Sequence, residues 1–430
     1  MLDLELFRTN LQEVIKSEKL RFKDPTNAKK VFELDQKWRN RKTELQRLQQ
    51  ERNRLSPRIG KLMNQGKTAE ANDLKLEVKQ LKDQIENLDK EVKDFKEERD
   101  KYRYLVGNIL HSSVPIGETD EDNEIIHTVG KPPDFNFKPL SHVDLIEGID
   151  GVNTIKAAEI AGSRFYYLKG DIVSLNLALM TYALEKLISK GYSPLWTPFF
   201  VKYEVIKAAA ELADFEEQLY KIQDEDLYMI ATSEQTLAAF HYNEILDPER
   251  LPLKYAGVSS CFRREAGSHG KDTLGIFRVH QFEKIEQFIF CDPEESWDFH
   301  EELLLNSEEL YKELGIPYRV VNIASGVLND NAAKKYDLKA WFPGSQTYRE
   351  LVSCSNCLDY QARKLKIRMG KVGSQKEKRI VHTLNSTAIA TTRTICCLLE
   401  NYQNEDYSIR IPKVLQKYMN GKKIIESIKN

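Results

Sequence analysis

Between Pro25 and Leu110 the chain has almost no glycine or proline, and one narrow apolar stripe runs through a densely charged background. In the second half of this stretch Leu74, Val78, Leu81, Ile85, Leu88, Val92 and Phe95 alternate steps of four and three. Arg99, Tyr102, Val106 and Ile109 continue the spacing. In the first half Trp38, Leu45, Leu48, Arg52, Leu55, Ile59 and Leu62 follow a similar one. A repeat of 3.5 residues lines one face of a helix, so two long helices with a coiled-coil seam are predicted. Residues 63–68 break the pattern. Gly66 can end one helix and Thr68 can cap the next. The prediction is an antiparallel hairpin whose arms are each roughly 50–60 Å long at 1.5 Å per residue. Pro57 lies inside the first arm and is expected to bend or disturb it. Residues 1–24 read as a small helical lead-in at its base. An arm with so narrow a seam buries little surface, so it is expected to project rather than to form a core.

The period lapses from His111 to Pro139, apart from a short strand predicted over Glu124–Val129. This places a boundary near 112, with a helical domain over 1–112 and a second domain over 113–430. Beyond it strands and helices alternate irregularly, as in an α+β fold. Asp171 can cap a helix running from Ile172 to Lys190, with Gly191 after its end. The segment Gly191–Val201 reads as strand. Tyr228–Glu234 reads as a strand entering a helix, Pro293–Leu314 as a helix, and Arg349–Cys357 as a strand turning into a helix. From His382 a strand gives way to a helix of small residues, with Arg393 expected on its second turn.

Composition narrows the classes. The 430 residues suffice for two domains, and the net charge of −2 gives no global signal for nucleic acid, so any such contact is local. Basic residues are biased toward the first arm of the hairpin (Lys37, Arg39, Arg41, Lys42, Arg47, Arg52), which suits phosphate contact without base reading. Six cysteines, none before Cys261, do not make a disulfide framework; a reducing compartment follows. No long uncharged apolar run is evident, and the N-terminus resembles no targeting segment, so a cytoplasmic protein without membrane or DNA partners is expected.

The candidate chemistry clusters at Arg263-Arg264-Glu265 and on the return strand through Phe277–Phe290. Arg263 and Glu265 are two apart, and Phe282 and Glu286 four apart, so on strands each pair shares a face. An arginine for a phosphate, a ring for stacking and a carboxylate for an amine or hydroxyl suit a nucleotide. An Arg-x-Glu pair alone is equally an ion pair across an exposed sheet. Thr232, Ser233 and Glu234 at a helix start can collect an ammonium group, or can simply cap the helix. Glu350 and Ser353 offer hard oxygens that suit Mg²⁺ held chiefly by ATP phosphates. Cys354 and Cys357 form a CxxC without a second pair, so no zinc is expected. The chain has no P-loop and no dinucleotide fingerprint, so neither of those phosphate cradles is available to a nucleotide.

Taken together, Phe262–Glu286 resembles motif 2 of the class II aminoacyl-tRNA synthetases, in the form carried by seryl-tRNA synthetases. Pro198 resembles the proline of motif 1, which forms the dimer interface in that family. His382–Gln403 resembles motif 3. Asn385-Ser386-Thr387-Ala388 stands where many bacterial members carry glycines, and this departure resembles the eukaryotic cytosolic type. The resemblance implies a mixed, mainly antiparallel sheet flanked by helices. It also implies a serine–tRNA ligase that forms seryl-adenylate from L-serine and ATP and passes serine to serine tRNA, which the hairpin embraces. A homodimer is implied. So is an ATP site of Arg263, Arg264, Glu265, Arg278, Val279, Phe282, Glu350, Leu351, Val352, Ser353 and Arg393, with Mg²⁺ on Glu350 and Ser353. The implied serine site comprises Thr232, Ser233, Glu234, Arg263, Glu286, Asn385 and Thr387. Arg263, Glu265 and Arg393 carry the catalytic role. The alternatives are a class II synthetase for another amino acid, against which the hairpin argues, and a non-catalytic coiled-coil adaptor, against which the retained Arg263, Glu265, Glu286, Glu350 and Arg393 argue.

Overall fold

The structure, a computed structural model, describes residues 1–209, 218–266, 272–371 and 378–429. The chain divides into two compact units, Leu2–Gly107 and Asn108–Asn430, the latter including Met1. The division falls a few residues before the expected 112. Asn108 already belongs to the second unit, where its amide donates to the carbonyls of Asn331 and Cys357.

The first unit contains α1 (Leu4–Thr9), α2 (Leu11–Leu20), α3 (Thr26–Asn64) and α4 (Thr68–Tyr104). The last two, of 39 and 37 residues, form the hairpin, each about 55–60 Å long. Leu45, Leu48, Ile85 and Leu88 pack across it with Leu81 and Val92, and Leu55, Ala71 and Leu74 are buried nearer the tip. Gly66 takes φ +73 at the turn, which an L side chain rarely adopts. Thr68 is the first helical residue rather than the cap, which is Lys67. Pro57 lies within a helix that continues past it. The seam ends early: α4 stops at Tyr104, so Val106 and Ile109 lie beyond it.

Arg99 occupies a seam position for an electrostatic reason. Asp35, 1% exposed, accepts from Arg8 Nε at 2.7 Å and from Arg99 Nη1 at 3.0 Å, with Arg39 at 3.1 Å. Burial works against its charge, but Arg8 and Arg99 hold the Asp35 carboxyl below the usual carboxylate range. The network ties α1 and α4 to α3.

The second unit is built on an eight-stranded sheet. Its strands are β1 (Glu124–Val129), β2 (Ser193–Trp196), β3 (Leu253–Phe262), β4 (Gln281–Cys291), β5 (Tyr318–Asn322), β6 (Lys334–Phe342), β7 (Thr347–Asn356) and β8 (His382–Ala390). Their spatial order is β1-β5-β6-β7-β8-β4-β3-β2, and every pairing is antiparallel except β2–β3. Further elements are α5 (His142–Gly148), α6 (Asp171–Ser189), α7 (Ser233–Ala238), α8 (Ser296–Glu313), α9 (Tyr360–Lys364) and α10 (Thr391–Asn401). Side-chain parity on β4 separates two faces. Ile285 and Ile289 join the large core under α6, α8 and α10, and Gln287 donates to Leu303 O and Ser307 Oγ on α8. Glu286, Phe288 and Phe290 point to the other face, where α7 packs.

Two β-bulges interrupt the ladders. Leu338 pairs with Val352 and Lys339 with Glu350, which leaves Leu351 as the extra residue of β7. Thr387 pairs with Glu286 and Ile389 with Ile285, which leaves Ala388 as the extra residue of β8. An inserted residue exchanges the faces of everything beyond it.

Several expected boundaries move. Asp171 opens α6 and is preceded by Gly170 at φ +52, so it is not the cap. α8 begins at Ser296, after a single 3₁₀ turn over Pro293–Glu295. Arg393 is the third residue of α10, on its first turn. β3 ends at Phe262 and β4 starts at Gln281, so Arg263, Glu265 and Phe277 are not strand residues. Residues 267–271 of the predicted polar loop lie outside the described residues. α6 is long and apolar enough to cross a membrane by length and composition alone, but it carries Asp171, Glu185 and Lys186, and Ile172, Leu175, Leu179, Tyr182 and Leu187 are buried in the core.

Candidate active site

A cavity of about 380 Å³ opens on the face of the sheet opposite α6, α8 and α10. Its floor comes from strand parity. Phe282, Lys284 and Glu286 are successive same-face positions of β4, and Asn385 and Thr387 are the same on β8. On β7 Glu350 and Ser353 both line the cavity although they are three residues apart, which a regular strand forbids; the extra Leu351 makes it possible. The rim comes from chain ends: Arg263 and Glu265 after β3, Arg278 and Val279 before β4, Arg393 at the start of α10, and Thr232 and Glu234 at the start of α7.

One side of the cavity is cationic. Arg263 donates through Nε to Ala231 O at 3.2 Å, and its guanidinium carbon lies 5.2 Å from the centre of the Phe282 ring. Its terminal nitrogens make no hydrogen bond among the described residues. Glu265, held at φ +49, accepts from Arg278 Nη1 at 2.8 Å. Arg393 donates to Glu350 O at 3.2 Å and lies 3.7 Å from the Glu350 carboxylate. The guanidinium carbons of Arg349 and Arg393 lie 3.4 and 5.0 Å from the centre of the Phe277 ring. Such arginine forks supply several two-point contacts for a polyphosphate. Enclosure favours the neutral form of Glu350, but Arg393, Lys335, Arg263 and Lys339 hold it below the usual carboxylate range.

The other side carries two carboxylates, Glu234 and Glu286, among hydroxyl and amide groups. Thr232 caps α7 by accepting from Glu234 N at 3.1 Å. Glu234 Oε1 accepts from Gln361 Nε2 at 2.8 Å and Asn385 Nδ2 at 3.1 Å, and Gln361 is fixed in turn by Thr383 Oγ1 at 2.9 Å. Deeper in, Glu286 meets Lys284 Nζ at 2.6 Å and accepts from Thr387 Oγ1 at 3.4 Å. Burial raises the Glu286 carboxyl above its usual range, against the opposing pull of Lys284, Thr387 and Arg263.

Among the described residues no group of three or more His, Cys, Asp or Glu is placed to hold a metal. Glu350 and Ser353 are nevertheless hard oxygen donors on one face, which fits an Mg²⁺ that takes most of its ligands from phosphates and water. Asp337, opposite Ser353 in the ladder, is buried with its carboxyl raised by burial and by neighbouring Glu350. Cys354 and Cys357 are buried; only Cys357 borders the cavity.

Of the residues singled out in the sequence, three do not line the cavity. Val352 points to the core between its cavity-facing neighbours. Ser233 is fully buried as the first residue of α7. Arg264 is exposed, and its backbone N–H donates to Gln218 O. Lys284, Lys335 and Gln361 were missed. Lys284 was readable, because it lies between Phe282 and Glu286 at the same parity; Gln361 carried no local signal.

A mainly antiparallel sheet with arginines at its strand ends and helix start, in a chain without a P-loop, fits the catalytic core of a class II aminoacyl-tRNA synthetase, and the family comparison gives that class. The family described as "tRNA synthetase class II core domain (G, H, P, S and T)" matches residues 218–402, and "Seryl-tRNA synthetase N-terminal domain" matches residues 1–110. The serine–tRNA ligase of Methanosphaera stadtmanae is 57% identical over 99% of this chain and 100% of its own. The cytoplasmic serine–tRNA ligase of Arabidopsis thaliana is 46% identical over 98% of this chain and 95% of its own. The crystal structure of seryl-tRNA synthetase from Pyrococcus horikoshii complexed with ATP superposes with a TM-score of 0.94 at 45% identity, covering 100% of both chains. The chain belongs to the seryl-tRNA synthetase family, the serine–tRNA ligases. The expected eukaryotic cytosolic type is not supported, since an archaeal relative exceeds the plant one in identity.

Proposed function

We propose that the cavity performs the activation step of a serine–tRNA ligase with the residues named above. ATP enters along the arginines. Arg263 holds the α-phosphate and the serine carboxylate, and Arg278 and Arg393 hold the outer phosphates. Phe282 stacks on adenine, and the Val279 backbone meets its exocyclic amine. Glu265, 2.8 Å from Arg278 Nη1, orients that arginine. Glu234, positioned by Gln361 and Asn385, receives the serine ammonium beside Thr232. Glu286 accepts the serine hydroxyl, with Thr387 as its neighbour. A serine carboxylate oxygen then attacks the α-phosphorus and the bond to pyrophosphate breaks. The protein contributes position and charge rather than covalent chemistry. Glu350 and Ser353 would hold Mg²⁺, which supplies charge neutralisation on the phosphates when bound.

The observation that carries this reading is the convergence of an arginine with open terminal nitrogens and two separately supported carboxylates, Glu234 and Glu286, in one cavity. A carboxylate that must be satisfied by a hydroxyl rejects alanine by roughly 10⁴–10⁵. Amino-acid-dependent ATP–pyrophosphate exchange over a panel of amino acids tests it. Serine alone should support exchange; equal exchange with threonine or proline refutes the assignment.

Three wider proposals accompany it. The hairpin of α3 and α4 holds serine tRNA through its basic residues. The protein acts in the cytoplasm, in keeping with the relative so named. It works as a symmetric dimer; Leu177 on α6 and Trp196 on the edge strand β2 are 58% and 76% exposed, an apolar face that suits a second copy.

A further inference from the structure

Lys284 is a buried cation inside a cavity whose phosphate-facing charges lie elsewhere. Its side chain is 7% exposed and that of Glu286 is 2% exposed, and the two meet at 2.6 Å from consecutive same-face positions of β4. Both contacts of Glu286, from Lys284 and from Thr387, fall on Oε2. Oε1 accepts no hydrogen bond among the described residues.

We propose that Lys284 is a positioning residue for amino-acid selection, clamping Glu286 by Oε2 as an acceptor-only carboxylate so that Oε1 is presented to the substrate hydroxyl. This rests on the reading of Glu286 as the hydroxyl partner and adds how that group is kept competent. A protonated Glu286 would offer a donor as well as an acceptor, and a substrate without a hydroxyl would no longer strand a charge. Burial favours the protonated form, and the groups that face Glu286 divide. Lys284 on its own strand and Arg263 beyond β3 oppose protonation. Cys261 on β3 and Cys354 on β7, both buried thiols raised by burial, supply no counter-charge, and Thr387 on β8 supplies only a hydroxyl. Lys284 is the first of the opposing influences.

The test is pyrophosphate exchange by the full-length protein with L-serine and L-alanine between pH 6 and 9. The variants are Lys284→Met, Lys284→Arg, Glu286→Gln and the Lys284→Met/Glu286→Gln double. Removing the cation raises the pKa of Glu286, so the acid limb of kcat/KM for serine should move to higher pH. Lys284→Met should also narrow the serine-to-alanine ratio about 10- to 100-fold at the lower pH values, with the ATP KM unchanged. Lys284→Arg should restore most of it, and the double variant should match Glu286→Gln alone. An unmoved acid limb, or losses that multiply in the double variant, overturns the proposal. A narrowed ratio in Glu286→Gln with wild-type behaviour in Lys284→Met defeats Lys284 alone. An unchanged ratio in Glu286→Gln defeats the hydroxyl assignment itself. If Lys284→Met does not fold, Lys284→Gln removes the charge and keeps a polar group, and the same pH limb decides.

Discussion

Replacing Arg263 by alanine separates catalysis from folding. In the fold the side chain contributes one hydrogen bond to Ala231 O and one contact with the Phe282 ring face. Their loss costs about 1 kcal/mol for the hydrogen bond and about 0.5–1 kcal/mol for the ring contact. In the proposed reaction the two terminal nitrogens would supply a charge-assisted, two-point contact to the phosphate at which bonds change. Losing one comparable preorganised donor costs about 2.7–4 kcal/mol of transition-state stabilisation. At about 1.4 kcal/mol per tenfold, exchange should fall roughly 10²–10³-fold. Lysine should recover only part of it, since a point charge cannot make the fork. The assay is serine-dependent pyrophosphate exchange, with urea unfolding in parallel. Exchange within a few-fold of wild type, in a folded variant, would show that Arg263 does not contact the reacting phosphate.

Gln361→Leu removes an amide that donates to Glu234 Oε1, and should raise the serine KM roughly tenfold while the ATP KM stays constant in the same assay. Shortening the hairpin by residues 52–82, with a two-glycine turn joining the arms, leaves the Asp35 network in place. It should spare exchange but raise the tRNA KM sharply in aminoacylation, and a normal tRNA KM refutes the tRNA role of the arm. Asp35→Ala removes one of the two carboxylates that hold Arg99, whose side chain is 4% exposed and which keeps Asp100, and should destabilise the first unit by about 1–3 kcal/mol in unfolding followed by Trp38 fluorescence. Because the folded pKa of Asp35 is depressed, its contribution is fully present above the unfolded value near 4. It should fade as the pH falls further, through the folded pKa, and an acid-independent stability in that window would contradict the network.

What could be read from the sequence depended on period. The seam through Leu45, Leu48, Ile85 and Leu88 is a long repeat, and a single helix period accounts for it without tertiary information. Phe282 and Glu286 were legible because β4 is regular where they sit, and the same parity would have yielded Lys284. The contiguous motif 350–353 concealed the opposite lesson: Val352 faces the core because alternation applies within a motif too. Arg263 and Glu265 line the cavity, yet not through strand parity, since β3 has already ended. Gln361 lies outside every local pattern and reaches Glu234 only through folding.

The bulges at Leu351 and Ala388 give β7 and β8 a phase change in the middle of the catalytic face. Upstream and downstream of each extra residue, odd and even positions exchange roles between solvent-facing chemistry and hydrophobic core. A single-residue deletion at either point would keep Glu350, Ser353, Asn385 and Thr387 and still turn those on one side of it toward the helices behind the sheet. The spacing within these two strands is therefore as much a part of the active site as the side chains it carries, and a graft onto a regular sheet would have to carry the irregularity with it.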